Sequence, residues 1–290
     1  MLGLPIRYLR PTTIVGGLAV SGASYACIRT IHAEAEWPPK VFGRGPAMVS
    51  LSLESSTQVN HNTKRLRFKL PHDTDTSGLS LTSALLVLSW PKGRWLPVAR
   101  PYTPISASTF PGALDLLVKR YPHGKQSTHL HSLQPGDSVL FAAAIPGYNW
   151  KPNNAAHVTL IAGGSGITPI YQLAQGILDN REDKTSVTLV YAANTDDDIL
   201  LKKELDAFYS KFPSRFKAVY VVSQPAEGSM ARKGRVTKQL LEDATQGVSN
   251  SESMVFVCGP PAMEKALLGD RNTEGILMEL GYEKNQVHSF

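Results

Sequence analysis

Between Met48 and Pro146, apolar and polar residues alternate in short runs broken by turn formers. VSLSLESSTQV and TKRLRFKLP change face at nearly every residue, which is the period of a half-buried strand. SALLVLSW, ALDLLVKRY and the VLFAAAIPG that follows a QPGD turn predict further strands. Short strands at this spacing, with few helical stretches, predict an antiparallel barrel or sandwich. After residue 155 the pattern changes. HVTLIAGG reads as a buried strand, and Ile170, Leu173, Ala174, Ile177 and Leu178 then recur with the period of a helix. SVTLVYAAN, FKAVYVVS and SMVFVCGP are three more strands. DDDILLKKELDAFYSKF, VTKQLLED, PAMEKALL and GILMELG are the helices between and after them. Strands alternating with helices predict an α/β doubly wound parallel sheet. The break at GYNWKPNNAA separates a first domain, 48–147, from a second, 157–290, with 148–156 as linker; the 290 residues suit two domains.

The first 47 residues follow neither pattern. Arg7 and Arg10 precede an uncharged run, residues 11–28, which as a helix would rise about 27 Å against a hydrocarbon thickness of roughly 30 Å. A membrane anchor, a cleaved targeting segment and a disordered tail are three readings of it. The absence of acids before Glu34 favours mitochondrial targeting that ends in an anchor. Residues 1–35 are therefore read as a targeting or transmembrane segment and 36–47 as a linker.

Composition excludes more than it assigns. The chain is 42% hydrophobic and 19% charged, ordinary for a globular protein. Two cysteines, Cys27 and Cys258, are too far apart and too unlike in context for a disulfide framework or a cysteine-based metal site, and the eight histidines have no ligand spacing. No metal is expected. The net charge of +6 lacks a long basic run interleaved with aromatics, so no nucleic acid is expected; the charge suits an anionic cofactor or an acidic partner.

Four motifs carry candidate chemistry. GGSGITP, residues 163–169, ends a strand and opens a helix, where backbone N–H groups and the helix dipole favour a phosphate. CGPPAM, 258–263, ends the fourth strand of the second domain. Ligands of doubly wound sheets bind outside the carboxyl ends of the strands, so these two loops would flank one crevice. RPYTPIS, 100–106, is a stiff extended segment whose Arg100 can hold a pyrophosphate by bidentate hydrogen bonds and whose Tyr102 can lie against a flat ring. GKQSTHL, 124–130, is a glycine turn into a short helix and a second anion site. Each alone could be an ordinary turn. All four in this order are much harder to explain so.

At these residues the chain resembles the ferredoxin–NADP reductase superfamily, with its RxY[ST], GxGxxP and CGPPxM motifs. Within that superfamily it is similar to the NADH–cytochrome b5 reductase family of the fungal mitochondrial type. The likeness runs over roughly residues 48–290. It implies an FAD-binding antiparallel β-barrel followed by an NAD(P)H-binding domain, with FAD and NADH as cofactors. It implies that Arg100, Pro101, Tyr102 and Thr103 hold the flavin, with Thr103 near its hydride-accepting nitrogen. Val118, Lys119 and Tyr121 resemble the second flavin strand, and Gly124, Lys125, Gln126 and Ser127 the pyrophosphate loop. Gly164, Ser165, Thr168 and Pro169 would line the nicotinamide crevice, with Cys258, Gly259, Pro260 and Met263 opposite. Thr103 and Cys258 are the residues expected at the reacting rings.

Several positions depart from the family pattern. Gln126 stands where methionine is common, Ser165 where threonine is usual, and VLFAAAIPG lacks the Phe-x-Gly-Pro usual before the linker. Ser223 replaces an aspartate that favours NADH in animal relatives, and Arg232 and Lys233 are expected to be able to attract a 2′-phosphate; NADH is the expected cofactor and NADPH a second possible one. The implied function is a monomeric reductase at the mitochondrial outer membrane, or also in the intermembrane space, that passes electrons to cytochrome b5 or a similar small haem protein. Two other readings stand beside it: a mitochondrial FAD-binding factor assisting cytochrome c import or maturation, and a reductase module for a separate oxygenase or quinone.

Overall fold

Strand β1 (Gly45–Asn60) serves two neighbours in turn. Its first half pairs with β6 (Ser138–Ile145) and its second half with β2 (Thr63–Lys69), both antiparallel. A register shift between Pro46 and Val49, with Met48 at φ 52, marks a bulge, which is how a sheet is made to curl. With β3 (Ala84–Ser89), β4 (Val98–Tyr102) and β5 (Ala113–Lys119), these strands form one antiparallel sheet in the order β4-β3-β6-β1-β2-β5. These features belong to a computed structural model that describes residues 38–290 apart from 44, 92 and 94. The expected anchor and its flanks lie outside the described residues; no described helix is long and apolar enough to cross a membrane.

The antiparallel sheet expected as a barrel or sandwich is a half-barrel. Among the described residues no ladder joins β4 to β5; past β4 the Ile105 N–H donates to the Asp115 carbonyl at 2.9 Å. Pro101 and Pro104 have no N–H to give to a ladder, so this edge cannot zip shut. Inside the curl, Phe141 contacts Phe42 and Phe68 at ring separations of 6.1 and 5.2 Å, and Leu66, Leu85, Leu114, Leu116 and Val118 complete the core. Helix α1 (Lys125–Ser132) closes one end of it through Leu130.

The second sheet is wholly parallel, in the order β10-β9-β8-β7-β11-β12. Its strands are β7 (His157–Gly163), β8 (Ser186–Ala193), β9 (Phe216–Val222), β10 (Arg232–Lys233), β11 (Ser253–Cys258) and β12 (Val287–Ser289). Helices α2 (Ile167–Asp179) and α3 (Lys202–Lys211) cover one face. The other face is covered by α4 (Lys238–Ala244), α5 (Pro261–Leu268) and α6 (Ile276–Glu279). Burial on both faces explains why β7 is buried at every position and reads as an unbroken apolar run.

Three sequence expectations change. The helix expected from Asp196 starts only at Lys202: Asp196–Asp198 form a single tight turn, and Leu201 is left-handed at φ 57. Asp198 is buried there and bound elsewhere, so it cannot serve an exposed first helical turn. The 148–156 linker is not loose, since Tyr148 and Trp150 pack on the second core and the Trp150 Nε1–H donates to Asp183 at 2.7 Å. Strands β10 and β12, two and three residues long, follow no hydrophobic pattern and were not expected.

Candidate active site

The curled sheet and the parallel sheet meet along β5. One face of β5 lies in the half-barrel core, while Leu117 packs with Ile105 and the α2 residues of the second core. Cross-ties follow the same seam. Lys119 Nζ pairs with Asp198 at 3.0 Å, and Tyr121 Oη and Ser165 Oγ lie 2.5 Å apart. Gln172 Nε2, on α2, donates to the carbonyls of Pro104 and Ser106 at 2.7 and 2.8 Å. The end of the RPYTPIS segment is thus held by the helix that follows the glycine loop.

A cleft of about 1800 Å³ opens along this seam. Arg100, Pro101, Tyr102 and Thr103 line one side, and Lys119, Tyr121, Gly124, Lys125, Gln126 and Ser127 continue it. Gly164, Ser165, Thr168 and Pro169 face them, with Cys258, Gly259, Pro260 and Met263 beside the glycine loop. All four motifs therefore share one crevice. Val118 does not line it: its side chain is fully buried in the half-barrel core, where the alternation of β5 sends it.

The glycine loop is set by contact and by conformation. A Cβ on Gly166 would lie 2.2 Å from the Cys258 carbonyl oxygen, so only glycine lets the loops after β7 and β11 touch. Gly164 has φ +54, with open space where its Cβ would be, so backbone there is exposed to a close-lying ligand. The Tyr191 hydroxyl, buried on β8, donates to the Gly164 carbonyl at 2.9 Å and accepts from the Leu200 N–H at 3.2 Å. Burial raises the phenol's pKa, so it remains a donor. Its position in an apolar strand gave no sign of this role.

Two helix N-termini border the cleft without a side-chain cap. These are α1 behind Gly124 and α2 behind Gly166, and uncapped amides there suit anionic groups. The α1 turn is built by its own side chains. Ser127 Oγ accepts from the Tyr121 N–H at 3.2 Å and donates to the Gly124 carbonyl at the same distance. Gln126 is turned away, its Oε1 accepting from Ser89 Oγ at 2.6 Å and its Nε2 donating to the Val87 carbonyl at 3.3 Å. Its side chain is a peg into β3, which leaves its backbone for any anion. At α5 the Gly259 N–H donates to Glu264 at 3.1 Å instead.

The remaining polar groups are poised for a ligand. Arg100 is exposed and makes no ion pair among the described residues; its Nη1 donates to the neighbouring Ala99 carbonyl at 2.7 Å. Thr103 lines the cleft with no hydrogen bond among the described residues. Burial raises the pKa of the Tyr102 phenol, with the Arg100 charge opposing, so that face is a neutral aromatic surface. Burial, with Glu264 nearby, also pushes the Cys258 thiol up to about 12. Cys258 is therefore a neutral thiol and not a nucleophile. Arg232 forms an ion pair with Asp243 at 2.9 Å, and neither it nor Lys233 lines the cleft. Of the three basic residues between 232 and 235, it is Arg235, two past Lys233, that lines the cleft. Asn194, His288 and Phe290, also in the lining, were not singled out from sequence.

An antiparallel half-barrel joined to a parallel sheet, with phosphate-suited loops along the seam, defines a two-domain oxidoreductase for a flavin and a nicotinamide nucleotide. The family of oxidoreductase FAD-binding domains matches residues 50–149, and that of oxidoreductase NAD-binding domains matches residues 160–268. The chain is 45% identical over 272 residues to NADH-cytochrome b5 reductase 2 of Pyricularia oryzae, covering 91% of this chain and 81% of that one. It is 43% identical over 295 residues to the protein of the same name in Emericella nidulans, covering 98% and 92%. Among solved structures, the cytochrome b5 reductase domain of Ulva prolifera nitrate reductase superposes with a TM-score of 0.74 at 28% identity, covering 87% of this chain and all of that one. The chain belongs to the NADH–cytochrome b5 reductase family of FAD- and NAD-binding oxidoreductases.

Proposed function

We propose that this protein takes reducing equivalents from NADH onto FAD and delivers single electrons to cytochrome b5 or a similar small haem protein. The observation that carries the reading is the single cleft in which the RPYT strand end and the GKQS turn of one sheet face the glycine and CGPP loops of the other. FAD, when bound, supplies the chemistry by accepting two electrons and releasing them one at a time. The chain's residues bind and orient. Arg100 and the uncapped amides of α1 suit the flavin pyrophosphate, and Tyr102 offers a flat neutral face. The Thr103 hydroxyl is free to bond a ring atom. On the other side, the backbone at Gly164 and the neutral Cys258 thiol leave room for a nicotinamide ring. No group here needs to gain or lose a proton.

The net charge of +6 suits an acidic haem partner, and such a charge acts chiefly on the rate of encounter. The uncharged run at 11–28 suits a membrane anchor, and basic residues without acids before Glu34 suit a mitochondrial destination. The decisive experiment is anaerobic stopped-flow mixing of the FAD-loaded protein with NADH, followed by cytochrome b5. Fast bleaching of flavin absorbance and then haem reduction are expected. Bound flavin that NADH leaves oxidised would overturn the reading in favour of a flavin-binding assembly factor. Rapid bleaching without haem reduction would remove only the acceptor.

A further inference from the structure

Three of the large exposed apolar side chains belong to one hairpin. Strand β3 ends at Ser89 and β4 begins at Val98, paired with it across the sheet, and the eight residues between them read WPKGRWLP. Trp90, Trp95 and Leu96 are 50%, 87% and 50% exposed there. The base of the hairpin is fixed, because Ser89 is buried and donates to Gln126 of α1. Strand β4 forms the outer edge of its sheet, and neither tryptophan lines the cleft. The tip therefore takes no part in holding the flavin or the nucleotide.

Size and charge decide what such a tip can meet. Covering the two indole rings and Leu96 would remove roughly 400 Å² from water, about half of what one side of a stable protein interface contributes. An indole has an apolar body and a polar N–H, and is enriched where the headgroups of a bilayer meet its acyl chains. The charge is of one sign. The loop carries Lys92 and Arg94 in its sequence, and no Asp or Glu occurs between Asp75 and Asp115. Asp137, the acid ahead of the neighbouring strand β6, accepts from the Gln134 N–H at 2.8 Å. We propose that the β3–β4 hairpin is a membrane-contact loop, its indoles seated among the headgroups of an anionic phospholipid surface and its two cations beside their phosphates. An acidic protein would suit the same charge, but not so small an apolar tip. This contact stands whether or not residues 11–28 anchor the chain.

The test mixes the FAD-loaded full chain with vesicles of phosphatidylcholine, alone or with one-third phosphatidylglycerol, whose acyl chains carry bromine to quench nearby tryptophans. Emission should be quenched more by the anionic vesicles than by the neutral ones, and the difference should shrink as salt is raised. Trp95→Ser combined with Leu96→Ser should remove most of the quenching that depends on anionic lipid, while leaving the rate of flavin bleaching by NADH within about twofold. Lys92→Gln combined with Arg94→Gln should abolish the preference for anionic vesicles. In a chain that residues 11–28 do not hold to the bilayer, the same pair should lower partition onto anionic vesicles about thirtyfold. Quenching that is equal on both vesicles, or that the Trp95 and Leu96 substitutions leave unchanged, would overturn the proposal. So would emission that responds to cytochrome b5, or to dilution of the protein itself, but not to lipid, since the tip would then be a protein contact. A chain that ignores neutral vesicles yet binds anionic ones through Trp95 and Leu96 would support the hairpin and remove the N-terminal anchor instead.

Discussion

The Lys119–Asp198 pair can be broken from either side, and its cost can be worked from burial. The two side chains are 13% and 5% exposed, with an N–O separation of 3.0 Å. Replacing one member of such a pair strands the other charge, which costs about 3–5 kcal/mol. Asp198→Leu would leave the Lys119 ammonium at the seam. Lys119→Met would leave a carboxylate with only the Thr195 hydroxyl, at 3.0 Å, as its side-chain donor. Taking about 3 kcal/mol, and roughly 2–4 °C per kcal/mol for a chain of this size, each single variant should melt about 6–12 °C lower. The double variant, which removes both charges, should recover at least half of that loss. Differential scanning calorimetry of the FAD-free protein measures all four corners without cofactor effects. The pH dependence has a definite sign. Burial raises the Asp198 pKa, but the hydrogen bond and charge of Lys119 more than offset it, so the folded value lies below the unfolded one. The pair's contribution is therefore present above the unfolded carboxylate value, roughly 3.9, and fades as pH falls through the folded one. Single variants within 2 °C of wild type at pH 7, or a double variant no better than either single, would refute the reasoning.

Other perturbations separate contact, conformation and charge. Gly166→Ala places a methyl 2.2 Å from the Cys258 carbonyl and should cost about 1–3 kcal/mol, read as a lower Tm. Gly164→Ala meets open space but must hold φ +54, so a smaller Tm loss of about 1 kcal/mol should come with a raised KM for NADH. With its thiol pushed up to about 12 by burial, Cys258 should be alkylated by iodoacetamide at pH 8 at least about tenfold more slowly than a free thiol; peptide mapping with equal labelling would contradict it. Asp115, 1% exposed, accepts from Arg65 at 2.6 and 3.0 Å and from Arg67 at 2.8 and 2.9 Å. Burial raises its pKa, but the Arg67 and Arg65 hydrogen bonds more than offset this and leave it lowered. Asp115→Asn should therefore lower Tm at pH 7 and lose that difference as pH falls below about 4.

Much of this was legible in the sequence because two periods and four turn motifs were intact. The alternation of TKRLRFKLP and the unbroken apolar HVTLIAGG separated an antiparallel from a parallel sheet, and the glycine and proline loops marked where a ligand would lie. What escaped depended on contacts between distant segments. The open edge at Pro101 and Pro104 reflects missing donors, which a count of strands does not register. Asp198 read as the start of a helix, because nothing local reveals that Lys119, 79 residues away in sequence, binds it. Gln126 read as loop chemistry although it pins α1 to β3, and Arg235 was passed over for Arg232 because pairing with Asp243 is visible only in space. Strand β12 gave no signal, since a three-residue edge strand has no period.

Gln172 carries a consequence for how such proteins can be recombined. Its amide, buried on the helix behind the nucleotide loop, bonds two carbonyls of the flavin-side segment. The segment is therefore held from both sides, by Asp115 of the half-barrel and by this amide of the nucleotide half. A chimera that grafts a foreign nucleotide half onto this half-barrel would leave Pro104 and Ser106 without those two donors unless the graft brings an equivalent amide at that helical position. A nucleotide half grafted onto this half-barrel without an amide at that position would carry the cost of two unpaired carbonyls at the seam.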